Sequence, residues 1–273
     1  MPFGHEEFLA ANPNRKCQHG VSGKLQLGHF EAAIVSHCNM SCVGCNHMSP
    51  VAPKSFMDVE QLRKDLLAIT SVAEFWKFAM LGGEPILHPR IDDMIEMAMS
   101  IPNIPEVAII TNGTMLDRMS ERFWNTVRKI EISVYPTLAA HKIEYIKRRC
   151  SQKNIVLMLV PQSQFAMALS PAGQSEAQIQ ARFERCPTGK ECYAIENGYF
   201  GKCPQSFIIP RMFLNLENNP DTIPLDGITV EKLRAFVENR KALKSCSRCS
   251  VAEQHFTWHE CRPSEWIEKS TAR

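Results

Sequence analysis

Three cysteines fall within eight residues in Ser36-His37-Cys38-Asn39-Met40-Ser41-Cys42-Val43-Gly44-Cys45, directly after the apolar run Ala32-Ala33-Ile34-Val35. A β-strand sends successive side chains to opposite faces, so thiols at this spacing converge only if the chain turns into a loop. The stretch therefore predicts a strand feeding a cysteine loop. Three thiolates held together can ligate three irons of a [4Fe-4S] cluster and leave the fourth open, whereas structural zinc closes its shell with four protein ligands. An open iron is a place for a small chelating co-substrate to bind and be reduced.

The C-x3-C-x2-C spacing after a first strand resembles the signature of the radical S-adenosylmethionine (SAM) superfamily. In that family SAM chelates the open iron, and one electron from the cluster cleaves it to methionine and a 5′-deoxyadenosyl radical. The resemblance assigns Cys38, Cys42 and Cys45 to a SAM-binding [4Fe-4S] cluster. One position departs from the pattern: the residue before the third cysteine is usually aromatic, and here it is Gly44.

The other cysteines bear on the same chemistry. The chain has eleven, and its start, Met1-Pro2-Phe3-Gly4-His5-Glu6-Glu7, lacks the basic and apolar regions of an export signal. A reducing compartment argues against a disulfide framework and for metal. Cys17 and Cys150 stand alone and read as ordinary apolar side chains, while Cys186, Cys192, Cys203, Cys246, Cys249 and Cys261 form a second group. No run reaches the roughly 18 apolar residues that a membrane span needs. Charges nearly cancel, at Lys+Arg 31 against Asp+Glu 29. Neither nucleic acid nor an anionic membrane is suggested as a partner, and the expected protein is soluble and cytoplasmic.

Residues 1–30 read as an irregular lead-in with turn formers such as Asn12-Pro13-Asn14. From Glu31 short β-prone runs alternate with helical stretches, which predicts a parallel sheet with crossover helices. The strand candidates are Ala32–Ser36, Phe75–Leu81, Glu106–Thr111, Ile130–Tyr135 and Ile155–Pro161; the helix candidates are Asp58–Thr70, Arg90–Ser100, Asp117–Arg128 and Ala139–Cys150. The family resemblance implies an α/β fold, a partial (β/α)6 barrel over residues 31–165 with the site at the strands' C-terminal ends. A polar loop or lid is expected over Gln162–Gln180. Beyond it, Cys192–Glu196 and Tyr199–Cys203 flank Asn197-Gly198, a strong hairpin signal. Thr229–Lys244 reads as a helix.

Gly82-Gly83-Glu84-Pro85 closes the second strand candidate, where consecutive glycines allow close backbone approach and Glu84 can accept hydrogen bonds from an ammonium group. It resembles the family's GGEP motif, which holds the amino group of SAM. By position, Asn112 after the third strand and Ser133 in the fourth take the family's ribose- or carboxylate-binding roles. His47, His88 and Arg90 lie in nearby loops as surface residues or substrate contacts.

Cys186, Cys203, Cys246 and Cys249 supply four thiolates, which suit either a second, fully ligated [4Fe-4S] cluster or structural zinc. Their opening spacing resembles the SPASM extension of many radical SAM enzymes. His255 stands where the longer SPASM pattern continues with cysteine, so the C-terminal region, residues 166–273, resembles the shorter cysteine-rich twitch form with one auxiliary cluster. Cys192 and Cys261 remain as spare thiols. The layout is similar to twitch-bearing enzymes acting on aminoglycosides, of the neomycin C epimerase and 2-deoxy-scyllo-inosamine dehydrogenase kind. That implies hydrogen abstraction from a carbinol C–H of a sugar-like small molecule, with flavodoxin or ferredoxin as electron donor. A spare thiol as hydrogen donor, Cys261 before Cys192, would give epimerisation; loss of an electron to the auxiliary cluster would give a ketone. Modification of a ribosomal peptide and a non-enzymatic zinc module stand as alternatives.

Overall fold

Five strands lie side by side, each parallel to the next: β1 (His29–Val35), β2 (Lys77–Gly82), β3 (Glu106–Thr111), β4 (Lys129–Val134) and β5 (Val156–Pro161). The computed structural model in which they are seen describes residues 18–19, 23–186, 188–214, 218–250 and 254–272. Helices α1 (Val59–Val72), α2 (Ile91–Ser100), α3 (Glu121–Thr126) and α4 (Ala140–Lys153) make the crossovers.

Alternation along each strand divides the sheet into two faces. Phe30, Phe78, Ile109, Ile130 and Ile132 pack into the same core as Leu62, Leu66, Ile69, Met94, Phe123 and Trp124 of the helices. Glu31, Ala33, Ala79, Ala108 and Glu131 alternate with them, so the face turned away from the helices is small and polar.

Beyond β5, β6 (Gln164–Ala166) leads to α5 (Glu176–Arg185), which starts at a Ser175/Gln178 capping box. The expected polar loop is thus partly structured. The hairpin forms as β7 (Cys192–Glu196) and β8 (Tyr199–Gly201), with positive φ at both Asn197 (47°) and Gly198 (85°), the geometry that matches the twist of paired strands. Its turn is pinned to α1, where Asp65 accepts from the Gly198 N–H at 3.0 Å.

β7 pairs in parallel with β1, so six parallel strands run in the order β7-β1-β2-β3-β4-β5. The sixth strand of the expected partial barrel thus lies beside the first, and the sheet continues across residue 165. After α6 (Gln205–Ile209), β9 (Thr222–Pro224) pairs with β8; α7 (Val230–Glu238), β10 (His255–Thr257) and α8 (Trp266–Ser270) complete the chain.

Three expectations shift. The lead-in contains structure, since Gln18–His19 and Leu25–Gln26 form a small ribbon with Ala73–Glu74 and β1 itself begins at His29. The predicted helix Asp117–Arg128 divides into a 3-10 turn, Leu116–Arg118, and α3, because Ser120 caps a fresh start by accepting from the Phe123 N–H at 3.1 Å. The predicted Thr229–Lys244 helix ends at Glu238. Among the described residues, no helix is long and apolar enough to cross a membrane.

Candidate functional site

The cysteine loop leaves the C-terminal end of β1 and is held at once by the glycine turn that ends β2. Gly83 N–H donates to Val35 O at 2.7 Å and Glu84 N–H to His37 O at 3.0 Å. A Cβ on Gly82 would stand 2.1 Å from Val35 O, and one on Gly83 1.9 Å from His37 O. Only glycine permits this approach, so the pair serves first to seat the cysteine loop.

Cys38, Cys42 and Cys45 converge as the spacing predicts. Burial pushes the Cys38 and Cys42 thiols up to about 12, and the neighbouring thiols add to each shift; Cys45 is also raised, chiefly by burial. Without a cation these neighbouring groups stay protonated thiols; a shared cation would favour their thiolate forms, which is the chemistry an iron–sulfur cluster supplies. Around them His37 Nδ1, Ser41 Oγ and His47 Nδ1 are buried with no hydrogen-bond partner among the described residues. These observations fit a cluster and a polar co-substrate.

The C-terminal tail clamps the loop. Val43 N–H donates to His259 O at 3.0 Å, Cys261 N–H to Ser41 O at 3.0 Å, and Ser41 N–H to the Glu260 carboxylate at 2.8 Å. Gly44 N–H donates to Ser270 Oγ at 2.9 Å, and the Trp266 indole N–H to Cys42 O at 2.9 Å. Sequence reasoning missed these contacts, which join residues more than 200 positions apart; no local pattern marks them. It also missed two members of the aromatic cover, Tyr135 and Phe165: Tyr135 packs on Trp258 and Phe165 at centroid separations of 5.2 and 5.8 Å, beside Cys38, Cys42 and Cys45. Burial and then the thiols hold the Tyr135 hydroxyl well above its ordinary pKa.

Gly44, the departure from the family pattern, has a local cause. Its φ is +71°, and a Cβ there would lie 2.5 Å from Ala166 O and 2.9 Å from the Phe256 ring. β10, which pairs with β6, brings that ring to the place an aromatic residue 44 would leave by.

Glu84 is buried at the centre of the turn. It accepts from Thr111 Oγ1 at 2.6 Å, Asn112 N–H at 2.9 Å and Ile86 N–H at 3.1 Å, the last capping the 3-10 turn opened by Pro85. Burial, opposed by these bonds, raises its carboxyl to about 7. An ionised carboxylate offers about four acceptor sites, so three protein donors leave one for an ammonium group. Losing a charge-assisted bond costs roughly 1.5–3 kcal/mol. Glu84→Ala is expected to weaken SAM binding about tenfold or more, measured by equilibrium dialysis on protein with iron content matched to wild type. An unchanged dissociation constant would remove Glu84 from the site.

The Asn112 amide donates to Asn39 Oδ1 at 2.8 Å and faces Cys38 Sγ at 3.6 Å, which places it beside the cluster loop. Ser133 is half-buried near the end of β4, one turn from Tyr135, whose N–H donates to Ser133 O at 3.1 Å. His88 is tied to Met57 O at 3.0 Å and Arg90 to Asp93 at 2.8 Å, so His88 supports the loop and Arg90 belongs to the surface. His47, whose pKa burial lowers to about 4, lines a small open cleft of about 80 Å³ at the β1–β7 rim, with Ala33, Val35, Ile208 and the Glu196–Arg211 ion pair.

A second thiol group forms away from the first. Cys186 ends α5, Cys203 follows the hairpin, and Cys246 and Cys249 flank the turn after α7. Burial, then Cys249, Cys246 and Cys186 in turn, drive the Cys203 thiol well above its ordinary pKa; Cys246 is raised to about 11, mainly by burial. The four cysteines therefore lie close enough to act on one another's thiols. His255 is exposed on β10 and outside this group.

The leftover cysteines separate. Cys192 is at the start of β7, the end of the sheet opposite the cysteine loop, which removes it as a hydrogen donor at that loop. Cys261 is half-buried beside Trp266, and the charges acting on its thiol are Lys269, Glu265 and Glu260. Cys150 is buried on α4, and Cys17 lies outside the described residues.

The family model described as Radical SAM superfamily matches residues 33–155. A GTP 3′,8-cyclase of Chlorobaculum tepidum is 36% identical over 90 residues, 33% of this chain and 27% of that protein. One of Microcystis aeruginosa is 26% identical over 114 residues, 40% of this chain and 35% of that protein. The chain thus spans about a third of the length of the curated relatives it matches. Among solved structures, anSMEcpe with bound AdoMet superposes with a TM-score of 0.52 at 12% identity, over 89% of this chain and 95% of that one, a likeness of fold. BtrN in complex with AdoMet and 2-DOIA gives 0.48 at 13% identity, over 81% and 84%. The superfamily implies a [4Fe-4S] cluster and SAM, and the matched segment holds the three clustered thiols and the glycine turn: residues 33–155 are a radical SAM domain.

Proposed function

We propose that the chain removes a hydrogen atom from a carbinol C–H of a sugar- or aminocyclitol-type small molecule, with net epimerisation as the outcome. The observation that carries this reading is the pairing of a three-thiol loop with a separate four-thiol group in one chain. When bound, the cluster at Cys38, Cys42 and Cys45 supplies the electron that cleaves SAM to methionine and a 5′-deoxyadenosyl radical. Glu84 then orients the SAM ammonium group, while Asn112 and Ser133 offer hydrogen-bond partners to its polar groups. Tyr135, Trp258 and Phe165 keep water from the loop. Glu196, Arg211 and His47 line the cleft with groups suited to substrate hydroxyls or amines. Residues 166–273 are read as an auxiliary-cluster region with Cys186, Cys203, Cys246 and Cys249 as ligands, reduced by a flavodoxin- or ferredoxin-type donor.

Cys261 is the thiol assigned to return hydrogen, because its backbone is tied to the cysteine loop and the four-thiol group does not include it; the thiyl radical left behind takes one electron from the flavodoxin- or ferredoxin-type donor and one proton from solvent to restore the thiol. In D2O the wild type should place one deuterium on the inverted carbon, since a thiol exchanges with solvent. Cys261→Ala should still form 5′-deoxyadenosine with bound substrate but yield no epimer, followed by mass spectrometry. Epimer formed by the variant at the wild-type rate would assign the transfer to another group. Ketone as the product of the wild type would favour the second reading, oxidation with the auxiliary cluster as electron acceptor, which the four-thiol group itself supports.

A further inference from the structure

At the N-terminal end of the sheet, far from the cysteine loop, three potential ligands of different kinds meet. β7 pairs with β1 so that Cys192 is beside His29, and Glu31, two residues along β1, projects to the same side. His29 Nε2 is 3.1 Å from Cys192 Sγ, and Cys192 Sγ is 3.4 Å from Glu31 Oε2; one donor atom from each of the three lies within 4.8 Å of the others. We propose that His29, Glu31 and Cys192 form a mononuclear zinc-type site, independent of both cysteine clusters and of the proposed reaction.

The separations suit that use. Zinc bonds of about 2.3 Å to sulfur and about 2.0 Å to nitrogen or oxygen, set at the tetrahedral angle, place sulfur about 3.5 Å from either partner. The two sulfur contacts are within a few tenths of an ångström of that value, and the His29 and Glu31 donor atoms lie within 4.8 Å of each other. Charge agrees as well. Glu31 is buried and Cys192 half-buried, and burial disfavours the charged form of each; a divalent cation binding them as carboxylate and thiolate would balance both charges. Lys77 on the next strand acts on Glu31 and Cys192 through its charge, but its hydrogen bonds go to both carboxylate oxygens of Glu131, at 2.7 and 2.8 Å. His29 is braced edge-on by Trp76 at 5.7 Å, which limits the ring's reorientation. His29 and Cys192 are only half-buried, so a hydrated ion has a path in, and water would complete the fourth position. The site would tie the hairpin strand β7 to β1, where the hairpin joins the barrel.

The full chain, with iron and sulfide reconstituted anaerobically, is incubated with one equivalent of zinc and desalted. About one zinc per chain should remain beyond the iron. Its X-ray absorption fine structure should show one sulfur at about 2.3 Å with nitrogen and oxygen at about 2.0 Å. Cys192→Ser and His29→Gln should each weaken zinc binding at least about tenfold with iron per chain unchanged. Failure to retain zinc, equal retention by wild type and both variants, or a shell of three or four sulfurs, which would put zinc in the cysteine clusters, would each overturn the site. The wild-type scattering shell decides the matter even if a variant misfolds, and none of these readouts depends on SAM cleavage.

Discussion

Replacing Cys38, Cys42 and Cys45 together by Ala is expected to abolish 5′-deoxyadenosine formation while leaving about four irons per chain, from about eight in the wild type. The expectation follows from geometry. The three thiols cluster in one loop around buried Cys42, and the other four cysteines sit on different elements, α5, the hairpin and the turn after α7. Without three thiolates no iron is held where Glu84 and Asn112 converge, so SAM has nothing to chelate. Rate loss should reach the detection limit, since no other group in the loop can replace a thiolate ligand. The fold should survive, because the loop is also held by the Gly83–Val35 and Val43–His259 backbone bonds and by the Trp266 indole N–H to Cys42 O. Undiminished SAM cleavage by the variant would place the cluster elsewhere.

The second large effect concerns Cys203, the most crowded member of the other group. Cys203→Ser combined with Cys246→Ser is expected to remove about half the iron and to leave SAM cleavage in place. Two of four ligands are lost, and serine is a poor iron ligand beside thiolate. Cys203 and Cys246 also pack with Phe183 and Leu243, so this corner should loosen locally, seen as faster amide exchange there. Iron analysis and Mössbauer spectroscopy would follow the loss. If iron stays at the wild-type level, those cysteines are structural thiols; if zinc replaces it in the wild type, the region is a zinc fold and the electron-acceptor route to a ketone closes.

The strands were legible because parallel strands buried against helices read as short apolar runs between turns, and all five appear within a few residues of where the pattern puts them. Asn197-Gly198 marked the hairpin for an equally local reason. What the hairpin does next was not legible: pairing β7 with β1 is a non-local choice, set by register along β1's edge. The clamp from Glu260, Ser270 and Trp266, and the Tyr135–Trp258 cover, are hidden for the same reason. Each is a contact between distant segments with no periodic signature. Gly44 shows the reverse case, where a departure from the family pattern became intelligible once Phe256 and Ala166 were seen against it. The grouping of Cys192 with His29 and Glu31 likewise depends on strand register, and spacing alone had placed Cys192 among the C-terminal thiols.

Every proposed step depends on reductive cleavage of SAM at the Cys38–Cys42–Cys45 loop. Reconstituted wild type incubated anaerobically with SAM and dithionite, and quantified by liquid chromatography and mass spectrometry, tests it most directly. The predicted result is 5′-deoxyadenosine and methionine in equal amounts, absent without dithionite. Protein that carries its full iron and binds SAM yet forms neither product would contradict it.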